Sequence, residues 1–260
     1  MLTDLGFKKC KANPAIFYIQ AGKDILILAI HINDCTMTWS SDDLIKSYKL
    51  KIKSKYDLID LGPIHWLLGI KITWDCENHT ISPSQSSYID SLLRRFNFTD
   101  LRPFSIPMDT NIWYSKNQCP QTSEQAAEMH HISYREAVGL LLYLAIATHP
   151  DIAFPIGILS QFMDNLGWVY WEGVKHVFGI WVWVLIHGMK VKGLEGFADV
   201  DGAIQEHRHA ITGYTFLING RAISWSSKKQ EIITLSTTES EYVAATHAAK
   251  EAIWLDLLVK

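Results

Sequence analysis

Residues 25–37 read ILILAIHINDCTM. The apolar run breaks at Asn33-Asp34 and then resumes. Residues 15–19 (AIFYI) and 25–32 (ILILAIHI) are short and rich in isoleucine, and QAGKD between them is turn-like. That pattern predicts a hairpin whose second strand is buried on both faces. A further turn is expected at Asn33-Asp34, whose side chains tolerate positive φ. CTMTW, residues 35–39, then returns as a third strand. A carboxylate at the tip of an apolar hairpin has two readings: an ordinary turn, or part of a metal site.

Downstream, SSDDLIKSYKLKIK places Ser40 or Ser41 as a helix cap, acids in the first turn and lysines afterwards. HWLLGIKITWDCENHTISPSQ, residues 65–85, predicts two strands around the polar turn CENH. SQSSYIDSLLRRF restarts a helix, with Tyr88, Leu92 and Phe96 four residues apart. Residues 103–128 hold Pro103, Pro107 and Pro120 and are polar, which makes them the best domain boundary. Residues 133–163 are helical in pattern, broken near Pro150 and Pro155. From Gly196 the pattern changes: GFADVDG, AITGYTFLING and RAISWSSKK predict three consecutive strands. STTESEYVAATHAAKEAIWLDLL is then a helix, with Tyr242, Ala245, Ala249, Ala252 and Ile253 expected on its packed face.

The 260 residues are 48% hydrophobic and 20% charged, the balance of a globular chain. Residues 1–108 hold 13 Lys+Arg against 11 Asp+Glu, and residues 109–260 hold 11 against 16, giving +2 and −5 for a net charge of −3. Charge alone therefore gives no support for nucleic-acid binding. Cys10, Cys35, Cys76 and Cys119 form no C-x-x-C pair, and the N-terminus lacks a signal core, so reduced thiols and an intracellular location, cytoplasmic or nuclear, are expected. The most apolar stretch, residues 177–189, is shorter than the roughly 18 to 20 residues of a membrane span, so no membrane partner is expected.

Five segments, in order, carry a resemblance: LGFKKCKANPAIF (5–17), LLGIKI (67–72), LLYLAIATHPDIAF (141–154), ISWSSKKQ (223–230) and TLSTTESEYVAATHAAKEAIWL (234–255). The chain resembles the reverse transcriptase and ribonuclease H region of copia-type retrotransposon polyproteins over nearly its whole length. The resemblance implies a mixed α+β and α/β architecture. Residues 1–108 would be a reverse transcriptase palm remnant and 109–194 a helical thumb or connection. Residues 195–260 would be the N-terminal half of a ribonuclease H-like domain, three antiparallel strands and then a helix.

The resemblance also assigns the hairpin tip. The family carries Tyr-Val-Asp-Asp there to hold the polymerase metals; here the residues are His31, Ile32, Asn33 and Asp34. Only Asp34 keeps its carboxylate, and Trp39 stands where the family has a small glycine. Two Mg²⁺ ions need several carboxylate oxygens, and Asn33 offers one neutral oxygen. A further palm aspartate is expected before residue 1. In the ribonuclease H part the matched residues are Asp199 and Glu239, with the next aspartate expected beyond Lys260. Together Asp34, Asp199 and Glu239 are the family-matched catalytic and metal positions, with Mg²⁺ the implied cofactor and binding here expected to be weak or absent. Glu239 has a second reading, since it follows Ser236 by three residues, as in a capping box. Asp199 and Asp201 likewise suit a strand end. If the metal reading holds, the Asp199 and Glu239 carboxylates gather within about 8 Å and repulsion raises one pKa.

Trp225, Lys228 and Lys229 suit nucleic-acid contact by stacking and charge, or an edge strand guarded by lysines. His207 and His209 flank Arg208 but offer too few ligands for Zn²⁺; with His130-His131 they read as solvated turns. Residues 180–192 (IWVWVLIHGMKVK) replace a basic stretch of the family, as a brief frame shift would. The functional expectation is a copia-type polyprotein fragment, catalytically inactive in this copy, with an RNA template or RNA–DNA hybrid as its ancestral partner. Self-association through an exposed sheet edge is also expected. The alternatives are a Mg²⁺-dependent hybrid nuclease completed by another chain, and a non-enzymatic binding or assembly protein.

Overall fold

The computed structural model describes residues 2–109, 111–180, 187–188, 193–201 and 209–259. They form a mixed α/β structure with three sheets and seven α-helices. The chain divides into two compact units, residues 1–64 with 250–260, and residues 65–249.

The first unit is built on an antiparallel sheet of four strands in sequence order: β1 (Lys8–Lys9), β2 (Ile16–Ala21), β3 (Asp24–His31) and β4 (Asp34–Trp39). Gly22 supplies the positive φ, 66°, that closes the turn between β2 and β3. The helix α1 (Asp42–Lys53) covers one face. Leu26 and Leu28 of β3 meet Ile19, Ile45 and Ile52 in one buried cluster. The expectation that β3 is buried on both faces is corrected: Ile25 is 39% exposed and Ala29 is exposed. An antiparallel strand covered by a helix on one side alternates rather than burying every residue. The turn is also corrected by one residue. Ile32 and Asn33 form it, His31 pairs with Asp34, and the positive φ of 54° falls on Ile32. A β-branched residue is a poor choice there. Ser41 occupies the cap position of α1 without a side-chain cap bond. Ser40 Oγ instead accepts from the Ile25 amide at 2.9 Å. In the same unit, Trp254 Nε1 donates to the Ala12 carbonyl at 2.9 Å.

The second unit begins with β5 (Trp66–Leu67), β6 (Ile70–Asp75) and β7 (Thr80–Ser84). Leu68 and Gly69, both at positive φ, make the tight turn between β5 and β6, and the Tyr143 hydroxyl donates to the Leu68 carbonyl. Helices α2 (Ser86–Arg95), α3 (Ser123–Met129), α4 (Tyr134–Ala147), α5 (Ala153–Leu159) and α6 (Trp168–Phe178) follow. The proline-bearing stretch 103–128 is packed rather than open: Tyr114 and Cys119 are buried and α3 lies within it. Leu92, Val138, Leu141, Ile156, Tyr170 and Val174 sit in the unit's buried core, with Tyr88 and Phe96 against it. The strand β8 (His187–Gly188) pairs with β7. Otherwise Trp181, Trp183 and most of 180–192 lie outside the described residues, as do His207 and Arg208.

The three strands expected after Gly196 are β9 (Leu194–Asp201), β10 (Ile211–Ile218) and β11 (Arg221–Lys229), antiparallel with β10 central. Asn219-Gly220, at φ 56° and 74°, closes the β10–β11 hairpin as this dipeptide favours. The helix α7 (Thr237–Val259) starts where expected. Its packed stripe does not. Tyr242 is 72% and Ile253 63% exposed, and Ala245 and Ala249 are exposed, whereas Ser240, Ala244 and Leu255 are buried. Apolar residues stand on both sides of α7, so periodicity alone selects neither face.

Candidate functional site

The β3–β4 tip is exposed from His31 through Cys35, with Cys35 partly covered. Asp34 is the first residue of β4, so its carboxylate stands beside the turn rather than in it. Asn33 adds an amide. Burial, and then the charge of Asp34, push the Cys35 thiol pKa up. Trp39 closes the other end of β4, its Nε1 donating to Asp42 Oδ1 at 2.9 Å.

In the second unit Asp199 lies on the exposed stretch of β9, opposite Gly213 of β10. Its Oδ1 accepts from the Val200 amide at 2.9 Å. Side chains two apart on a strand share a face, so the neighbouring carboxylate is that of Asp201. Burial first, and then the Asp199 charge, raise the Asp201 pKa. Asp201 is the residue the sequence reading left out of the site; the period-2 spacing of Asp199 and Asp201 was the available signal. Glu239 stands in the first turn of α7 and is exposed. Its Oε2 accepts from the Leu235 amide at 2.7 Å, and its own amide donates to Ser236 Oγ at 3.2 Å. Glu239 therefore closes its own helix start. The carboxylate whose pKa is raised is thus Asp201, through burial first and the Asp199 charge second.

Trp225 is half-buried and its Nε1 donates to the Ala145 carbonyl at 2.6 Å. Ala145 lies in the last turn of α4, where carbonyls lack helical partners, so the indole caps that helix end. Lys228 Nζ lies 3.2 Å from Glu231 Oε1, and Lys229 Nζ donates to Gln161 Oε1 at 3.2 Å. Burial, then Lys116, lower the Lys229 pKa. His209 Nδ1 is 2.9 Å from the Gln230 carbonyl, and the His130 and His131 rings meet edge to face. All four cysteines carry free thiols.

Residues 1–110 match the model of the reverse transcriptase (RNA-dependent DNA polymerase) family. The Pol polyprotein from transposon TNT 1-94 of Nicotiana tabacum is 36% identical over 96% of this chain, which covers 19% of that protein. This chain belongs to the copia-type Pol polyproteins. The Pol polyprotein from transposon RE2 of Arabidopsis thaliana is 27% identical over 98% of the chain, which covers 17% of it. An uncharacterised mitochondrial protein of Arabidopsis thaliana is 28% identical over 88% of this chain and 94% of its own length. The chain thus spans about a fifth of the Pol relatives it matches first. No solved structure matches.

Reverse transcriptases generally use Mg²⁺, so the donors of this Pol segment can be tested against that ion. Hard cations take several oxygen ligands, and a two-metal site places its ions roughly 4 Å apart. The tip offers one carboxylate and one amide. The Glu239 carboxylate is held by the Leu235 amide. Among the described residues no three metal-ligating side chains gather. The donors among the described residues do not make up a two-metal set. Among the described residues no helix is long and apolar enough to cross a membrane.

Proposed function

We propose that this segment is a catalytically silent part of a copia-type reverse transcriptase and ribonuclease H. It would comprise a palm remnant over residues 1–108, a helical connection over 109–194 and the first half of a ribonuclease H-like domain over 195–260. The β9–β10–β11 meander followed by α7 supports the last assignment. The observation that carries the silence is the β3–β4 tip, where Asp34 has only the neutral amide of Asn33 beside it in the turn. An amide neither offsets metal charge nor offers a second anionic oxygen. An RNA template or RNA–DNA hybrid is the ancestral partner that the family's polymerase description supports. Self-association would use β9, an edge strand whose Phe197 is 61% exposed. The alternatives, a nuclease completed by another chain and a dedicated binding protein, gain no support from relatives that are Pol polyproteins along nearly the whole chain.

Primer extension and hybrid cleavage by the purified chain in Mg²⁺ test the proposal. Neither product is expected. Extension or cleavage above that of an Asp34→Ala, Asp199→Ala double variant refutes it.

A further inference from the structure

A cavity of about 220 Å³ opens in the second unit between residues 101–114, α5 and α6. Leu101, Phe104, Met108, Ile112, Leu159 and Val177 make its wall apolar. The charged groups at its rim are engaged with one another or with the backbone. Lys175 Nζ lies 2.7 Å from Glu172 Oε1 and over the Trp168 ring at 4.8 Å. His176 Nε2 is 2.8 Å from the Ile106 carbonyl, and its ring stacks on Phe104 at 4.0 Å between centroids. Asp109 Oδ1 accepts from the backbone and side-chain amides of Asn111 at 2.9 and 3.0 Å.

Tyr114 is different. It is only 8% exposed and lines the cavity, and its hydroxyl has no hydrogen-bond partner among the described residues. Gly173 makes room for that hydroxyl, since a Cβ there would come 2.4 Å from it. Burial, and then the charge of Asp109, raise the phenol pKa, so the oxygen keeps its proton and offers a donor. Apolar cavities of about 150 Å³ take a benzene ring; this one is larger and carries a donor.

We propose that this cavity binds one neutral aromatic ring system bearing a hydrogen-bond acceptor, of the size of quinoline, with the acceptor on the Tyr114 hydroxyl. The apolar wall takes the ring and Tyr114 sets its orientation. A purely apolar ring of the same shape fills the space but leaves the hydroxyl unpaired.

Quinoline and naphthalene separate these effects. Both are titrated into the full chain while methyl resonances of Met108 and Leu159 are followed by NMR. Saturable shifts at both methyls are expected, with quinoline about five- to tenfold tighter, the worth of one hydrogen bond. Tyr114→Phe should bring the two within about twofold by removing that bond. Equal affinities in the unaltered chain overturn the proposal, as does a quinoline preference that survives Tyr114→Phe. Absent methyl shifts overturn it too, and leave only a water against the hydroxyl. Should Tyr114→Phe not fold, the quinoline-to-naphthalene ratio in the unaltered chain decides, together with nuclear Overhauser contacts from the ring protons beside the quinoline nitrogen to the Tyr114 ring.

Discussion

The β3–β4 tip and the start of α7 hold two carboxylates that the family resemblance singles out, Asp34 and Glu239, in opposite settings. At the tip His31 pairs with Asp34 across a two-residue turn, and the residue before Asp34 is the neutral Asn33. At α7 the carboxylate is present and engaged: Glu239 Oε2 accepts from the Leu235 amide. The first site lacks a charge, and the second has a charge already bound. A carboxylate's role is therefore set by what its oxygens touch, and identity at a matched position does not fix it. The difference also predicts different responses to repair.

The largest effect expected is a failure to respond. Asn33→Asp restores the anion at the tip, yet primer extension should remain absent, because two carboxylates on one hairpin do not complete a two-metal donor set. Extension by Asn33→Asp, with none by the unaltered chain, would show that the tip lacks one charge and nothing else. The contrast with α7 would then be a matter of a single residue.

Next in size is a stability difference within β11. Trp225 caps the end of α4 through the Ala145 carbonyl, whereas Lys228 pairs with Glu231 at the surface. Trp225→Ala should cost roughly 3 kcal/mol from lost packing and an orphaned carbonyl. Lys228→Ala should stay within about 0.5 kcal/mol. Denaturant midpoints measure both. A Trp225→Ala chain as stable as the original, but weaker in binding a single-stranded oligonucleotide, would return this indole to a stacking role.

The start of α7 gives a smaller and sharper test. Ser236→Ala removes the hydroxyl that accepts from the Glu239 amide and should cost about 1 kcal/mol. Glu239→Gln keeps an acceptor for the Leu235 amide, so about 0.5 kcal/mol or less is expected. If Mg²⁺ stabilises the unaltered chain against heat and Glu239→Gln abolishes that gain, Glu239 is a ligand and the contrast with the tip fails.

Several of these elements were legible in the residues alone. The segments after Gly196 announced three consecutive strands, Ser236 with Glu239 announced the helix start, and the isoleucine runs announced β2 and β3, because each signal is local. What failed was non-local. Nothing in the 25–32 run shows that one helix covers one face only, so Ile25 was expected inside and is 39% exposed. The apolar residues of α7 occur on both sides, and Ala244 and Leu255 are buried where Tyr242 and Ile253 are exposed. Trp225 reads from sequence as a stacking or edge-strand residue because its partner, Ala145, is 80 positions away. Asp201 was underweighted for the opposite reason: its partner is two residues off, and a strand end explained it too easily.

The Asp199–Asp201 pair supplies the smallest effect, and its sign follows from the direction of one pKa. Burial, and secondarily the Asp199 charge, hold the Asp201 carboxyl above its ordinary value in the folded chain. Unfolded, it titrates near the model-peptide value of about 3.9. Below that value both states are protonated and Asp201 contributes no difference. Just above it the folded chain holds more protons than the unfolded one, so stability falls as pH rises through that window. Above the folded-state value the penalty is complete and constant. Asp201→Asn removes the ionisation, so it should flatten that fall and leave the variant slightly more stable than the original at pH 7. Asp199→Asn should give a smaller gain, since it removes only the lesser cause. Melting temperatures between pH 4 and 7 compare the three chains. A drop in stability for Asp201→Asn at neutral pH would mean that the ionised carboxylate is bound by something favourable, and β9 would then resemble a working cation site more closely than the β3–β4 tip does.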